Sequence, residues 1–137
     1  MKKLGAKNIK FYGNLKYAQS EHEKNFIKND IKKIFSKKKV WCASSTHESE
    51  EEFAGKTHIF LKKKYKNILT VIIPRHIDRE SRIVEQMERL NLKVHLHESH
   101  KQIKNDTDIY LVNSFGKTKS FYSIIHNIFL GGTLIEH

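Results

Sequence analysis

The chemistry-bearing residues of this chain fall at three places. Ser45, Thr46 and His47 directly precede the acidic run Glu50-Glu51-Glu52; Arg75 and His76 follow Pro74; and Gly131-Gly132-Thr133 stands near the C-terminus. A hydroxyl pair opening a helix offers donors beside unsatisfied backbone N–H groups and the positive end of the helix dipole, an arrangement that holds phosphate. Arg75 adds a planar guanidinium able to grip a phosphate with two hydrogen bonds, and His76 adds a further donor. A Gly-Gly pair lets the backbone approach a ligand closely.

Other reactive side chains read as structural. Cys42, the single cysteine, lies in the apolar run Val40-Trp41-Cys42-Ala43 and is expected to be a buried thiol. One cysteine also excludes an intramolecular disulfide and suits a reducing compartment. His95, His97 and His100 are close together but lack cysteine partners and a fourth ligand, so they are expected to be exposed histidines at a strand end, with no metal site. Glu50 and Glu51 are accounted for by the dipole of the helix they open.

Elements able to position the three groups are visible as apolar runs of strand length alternating with segments of helical period. A first strand is expected at Ile9–Tyr12, ending in the turn pair Gly13-Asn14. Between Ser20 and Lys38, Ile27, Ile31, Ile34 and Phe35 recur at helical spacing, with Ser20 as cap. Strands are expected at Val40–Ala43, Ile68–Ile73, Lys93–His97, Ile109–Val112 and Ile128–Leu130. Ile68–Ile73 is a continuous β-branched run of the kind buried on both faces of a parallel sheet. Ser44–His47 is expected to be a loop; Asp78 is expected to cap a helix carrying Ile83, Val84, Met87 and Leu90; and Phe121, Ile124 and Ile125 mark a short helix. The ordering predicts an α/β fold, a Rossmann-like parallel sheet flanked by helices, whose ligand crevice lies at the carboxyl ends of the strands. Ser44–Glu51, Pro74–Arg79 and Gly131–His137 would all emerge there and form one site.

The 137 residues suffice for one domain. Lys and Arg number 26 against 15 Asp and Glu, a net charge of +11 that favours anionic partners. There is no signal peptide and no apolar stretch of spanning length, so a cytoplasmic location is expected. A basic module binding nucleic acid is an alternative on charge alone, but no RNA-binding or helix-turn-helix signature accompanies the lysines, and no nucleic-acid partner is expected.

Four stretches resemble the bacterial 3-deoxy-D-manno-octulosonic acid (Kdo) transferases. Trp41-Cys42-Ala43-Ser44-Ser45-Thr46-His47 with Glu50-Glu51 is similar to that family's Trp-x-Ala-x-Ser-Thr-His-x-Gly-Glu-Glu, with Ser49 in place of the glycine. Ile72-Ile73-Pro74-Arg75-His76 resembles its Pro-Arg-His segment, Gly13-Asn14-Leu15-Lys16 its Gly-Asn-Leu-Lys, and Phe129-Leu130-Gly131-Gly132-Thr133-Leu134 its Phe-x-Gly-Gly-Ser-Leu. The resemblance implies the incomplete C-terminal half of a GT-B glycosyltransferase. Residues 1–137 would be a single partial domain binding CMP-Kdo or CMP, without the acceptor domain and its catalytic Glu. It implies that Ser45, Thr46, His47 and the helix start at Glu50 line the donor cleft and that Arg75 meets the CMP phosphate. No cofactor is implied. The chain alone would be inactive in transfer to a lipid A precursor unless a separate polypeptide carried the acceptor domain, and the intact enzyme would sit at the cytoplasmic face of the inner membrane. Phe115-Gly116-Lys117-Thr118-Lys119 departs from the family's Gly-Glu-Leu-type loop. A nonfunctional remnant, its sheet left uncovered by missing final helices, is the further alternative.

Overall fold

The computed structural model of the protein describes residues 27–132. The expected strand Ile9–Tyr12, the turn Gly13-Asn14, the cap Ser20 and Thr133 lie outside the described residues. The described elements run α1 (Asn29–Ser36), β1 (Lys39–Thr46), α2 (Glu50–Lys64), β2 (Ile68–Pro74), a 3-10 turn (Ile77–Arg79), α3 (Glu80–Arg89), β3 (Val94–Leu96), β4 (Ile109–Leu111), α4 (Thr118–Tyr122) and β5 (Ile128–Leu130).

All strand pairings are parallel, in the order β3-β4-β2-β1-β5. Each strand therefore ends at the same edge, and chemistry carried by the loops after β1, β2 and β5 is gathered by topology alone. β2 is buried along its whole length, as its unbroken apolar run requires.

Period-two alternation along the strands divides the core into two layers. On one face Cys42, Leu69, Val71, Ile73 and Tyr110 pack with Ile31 and Phe35 of α1 and Phe121 of α4. On the other, Ala43, Ile72, Ile109 and Leu111 pack with Ala54 of α2 and with Ile83 and Met87 of α3. Cys42 is wholly buried and burial raises its thiol pKa to about 12, so it stays protonated at neutral pH.

Three local expectations are corrected. Ser44, Ser45 and Thr46 belong to β1 rather than to a loop, and the pairing of β1 with β2 shifts register between Ser44 and Thr46, where Ser45 turns to φ +55°. Asp78 does not cap α3; it lies inside the 3-10 turn, and α3 begins at Glu80 with no side-chain cap. His95 of β3 and His97 just after it are not simply exposed, whereas His100 is. The His97 side chain is largely buried, its Nδ1 lies 2.8 Å from the Tyr110 hydroxyl, and the His95 ring stacks on Tyr110. Burial depresses both imidazole pKa values. Among the described residues no His/Cys/Asp/Glu group could hold a metal ion.

Candidate donor-side crevice

β1 delivers Thr46 to the carboxyl edge, and α2 starts four residues later. Ser49 bridges the two at φ +77°, a left-handed conformation that glycine adopts without steric cost. Ser49 contributes no side-chain cap; the Glu50 N–H donates to the His47 carbonyl at 3.1 Å. Two of the three non-glycine residues with positive φ among the described residues, Ser45 and Ser49, thus flank this corner. Backbone strain of this kind persists only where surrounding contacts enforce it.

The enforcing contacts come from Glu50 and Glu51, both fully buried. Glu50 Oε2 accepts a hydrogen bond from the His47 N–H at 2.9 Å, and its carboxylate accepts the Gly132 N–H at 2.9 and 3.0 Å. One carboxylate therefore ties the loop after β1 to the loop after β5. Gly131 donates its N–H to the Ser44 carbonyl at 2.7 Å. A Cβ on Gly131 would stand 2.5 Å from the Ser45 carbonyl oxygen and 2.7 Å from Glu50 Oε2, so no other residue fits there unshifted. Gly132 takes φ +85°.

Glu51 performs the parallel task for the loop after β2. It accepts the Thr46 hydroxyl at 2.9 Å and a two-pronged contact from the Arg79 guanidinium at 3.1 Å each. The Arg75 N–H donates to the Thr46 carbonyl at 2.9 Å, extending the β1–β2 ladder into the loop. The Arg75 and His76 side chains are left exposed at the rim, and the His76 ring lies edge-on to His47 with centroids 6.4 Å apart.

The expected site residues thus separate by depth. His47, Arg75 and His76 reach the crevice surface, and Ser45 is half-buried; Gly131 and Gly132 supply backbone; Thr46 and Glu50 lie beneath as framework. Sequence reasoning missed Arg79, and it missed that the two glutamates are buried clamps. A signal was available: Glu50, Glu51, Ala54, Gly55 and His58 share the inward face of α2 at helical spacing, and two carboxylates on a buried face need partners.

An all-parallel sheet flanked by helices, with strand-end loops locked into one rim, is a Rossmann-like α/β fold. Superposition agrees: the C-terminal CMP-Kdo binding domain of WaaA from Acinetobacter baumannii matches with a TM-score of 0.68 at 24% identity, covering 88% of this chain and 58% of that one. In sequence, the chain is similar to Kdo transferases. The 3-deoxy-D-manno-octulosonic acid transferase of Haemophilus influenzae is 28% identical over 91% of this chain and 30% of its own length. That of Aquifex aeolicus is 28% identical over 98% and 34%. A bifunctional glycosyltransferase/methyltransferase of Fusobacterium nucleatum is 31% identical over 97% and 21%. The chain therefore spans about a third or less of the length of these curated relatives. No family model matches the sequence.

Proposed function

We propose that the crevice binds the cytidine nucleotide of CMP-Kdo and that residues 1–137 form a partial domain supplying the donor side of a Kdo transferase in lipopolysaccharide core synthesis. The observation that carries this reading is the pair of buried clamps, Glu50 and Glu51, which hold three strand-end loops in one rim with the Arg75, His76 and His47 side chains at its surface. Such a rim suits an anionic ligand, because the buried carboxylates are occupied by backbone and Arg79 while the groups facing outward are donors. Likeness to proteins named for CMP-Kdo binding and Kdo transfer supports CMP-Kdo as that anion.

In this reading Arg75 grips the CMP phosphate, His47 and His76 donate from either side, and Ser45 completes the cradle. Gly131 and Gly132 bring backbone against the nucleotide, and Thr133, next in sequence, is assigned to the same donor site; Thr46 and Glu50 fix those loops from below. None of these residues acts on the acceptor. Cleavage of the bond between Kdo and phosphate leaves CMP carrying the released negative charge, which this cradle offsets. Removal of the acceptor hydroxyl's proton needs a base, and the proposal assigns that base and the lipid A precursor site to protein outside residues 1–137, in the same or a separate polypeptide at the cytoplasmic face of the inner membrane.

Calorimetric titration tests the nucleotide step. CMP is expected to bind more tightly than UMP, and Arg75→Ala to weaken CMP about tenfold through loss of a charge-assisted contact. Equal affinity for both nucleotides, or none for either, would overturn it. Mixing residues 1–137 with an acceptor half is expected to produce Kdo transfer that neither gives separately.

A further inference from the structure

In an all-parallel sheet the strands start, and the helices between them end, at one edge, so this amino edge lies opposite the crevice, about 20 Å away along β2. Two lysine-rich stretches meet there. Residues 37–39 join α1 to β1, and residues 62–66 lead from the end of α2 toward β2; neither stretch holds an acidic residue. Close contacts bring them together. Asn67 Nδ2 donates to the Lys37 carbonyl at 3.3 Å, the Lys39 N–H donates to the Asn67 carbonyl at 3.1 Å, and Lys39 Nζ and Lys64 Nζ lie 4.9 and 5.5 Å from the Tyr65 ring centroid. Asp108 takes Lys62. Lys37, Lys38, Lys39, Lys63, Lys64 and Lys66 stand in no ion pair among the described residues. The helix dipole accounts for lysines in the last turn of α2, but not for Lys39 and Lys66, which lie beyond both helices. Beside these lysines runs a groove of about 480 Å3 whose lining includes Lys39, Val40, Trp41, Leu61, Tyr65 and Ile68.

An apolar concavity bordered by ammonium groups without counter-ions suits an occupant that is apolar where it enters and anionic around that point. We propose that this edge is a docking surface for an acidic segment of a partner protein, which inserts apolar side chains into the groove and sets carboxylates against the lysines at 37–39 and 62–66. Charge complementarity selects the occupant: clustered ammonium groups repel one another, and a row of carboxylates relieves that repulsion at several points at once. Single-stranded nucleic acid is the poorer fit, because it stacks its bases on open rings. Tyr65 already has two ammonium groups within cation–π range, and the Trp41 indole is half-buried with its N–H out of solvent. A lone phosphate fits poorly as well, because α1 and α2 present their carbonyl ends here and neither stretch contains an arginine. The surface lies at the opposite end of the strands from His47 and Arg75, so the proposal does not rest on the donor-site reading, and the two fail separately.

Trp41, the sole tryptophan, lines the groove and reports its occupation. The test titrates the full chain with a short peptide in which Glu alternates with Leu and Phe, with a peptide of equal charge in which Ser replaces the Leu and Phe, and with an oligothymidylate. The alternating peptide is expected to bind, to shift Trp41 emission to shorter wavelength, and to bind about tenfold more tightly than its serine counterpart, in line with burial of an apolar side chain. Replacing Lys63, Lys64 and Lys66 together by Gln is expected to weaken it on the order of tenfold, at about twofold per lysine. Thr57→Phe fills the groove from α2 and is expected to remove the advantage of the alternating peptide while leaving the attraction of the lysines. These positions are exposed or half-exposed, and both variants are expected to keep the wild-type melting temperature and CMP affinity. Absence of binding by the alternating peptide would overturn the proposal, as would equal binding of the two peptides by the wild-type chain, or an oligothymidylate that binds more tightly than either.

Discussion

At the scale of single residues, the corner between β1 and α2 makes the sharpest demands. Ser49 holds φ +77° without using its side chain as a cap, and the glycine at this place in the resembled motif is what that geometry favours. Relief of left-handed strain exceeds the extra unfolded-state entropy of glycine, so Ser49→Gly is expected to stabilise the chain by about 0.5 kcal/mol in urea unfolding. Gly131→Ala has the opposite sign. Its Cβ would meet backbone 2.5 Å away, and the loop must shift, at a cost of about 1–3 kcal/mol. Arg79 matters through Glu51. Its side chain is 18% exposed and its partner fully buried, so Arg79→Met strands a carboxylate and is expected to cost about 3–5 kcal/mol, read as a lowered urea midpoint. A loss below about 1 kcal/mol would show that water reaches Glu51.

At the scale of elements, α2 joins the crevice at its start to a second buried polar group near its end. His58 is fully buried, with Nδ1 2.9 Å from the Thr70 hydroxyl and Nε2 3.2 Å from Asp108. Asp108 also accepts Lys62 Nζ and the Lys93 N–H. Burial lowers the His58 pKa from 6.5, more than the attraction of Asp108 raises it. For Asp108 burial works against ionisation, but the hydrogen bonds from Lys62 and Lys93 prevail and its pKa falls below 3.8. In both cases the unfolded chain binds more protons than the folded one as pH drops, so stability rises with pH. The His58 contribution is complete above about 6.5 and diminishes below it; the Asp108 contribution persists above 3.8 and is lost as pH falls through the lower folded value. Urea midpoints are expected to decline from pH 7 toward pH 4, and His58→Gln is expected to flatten the upper part of that decline. The elements themselves were largely legible, because β2 is an unbroken buried run and Ile31 and Phe35 of α1 stand at helical spacing, although Ile27, read as part of that stripe, precedes the helix. Long-range partners were not. Glu50 meets Gly132 across 82 residues and Glu51 meets Arg79 across 28, and a local reading assigned both carboxylates to the helix dipole alone. His97 looked exposed for the same reason: Tyr110, which shelters it, arrives from the neighbouring strand β4.

At the scale of the whole molecule, parallel topology separates two kinds of surface. Strand ends gather His47, Arg75, His76 and the Gly131-Gly132 backbone at one edge, while α2 carries its exposed rings and lysines along the outside of one layer. A net charge of +11 by itself attracts any anion, so affinity alone cannot identify a donor site; location and base preference can. The most direct measurement is an amide NMR titration of the chain with CMP, repeated with UMP and in high salt. The donor site requires dispersed spectra in which His47, Glu50, Arg75, Gly131 and Gly132 shift together under CMP, less under UMP, and still do so when salt is raised. Shifts confined to the lysine-rich stripe of α2, or identical for both nucleotides and abolished by salt, would contradict it.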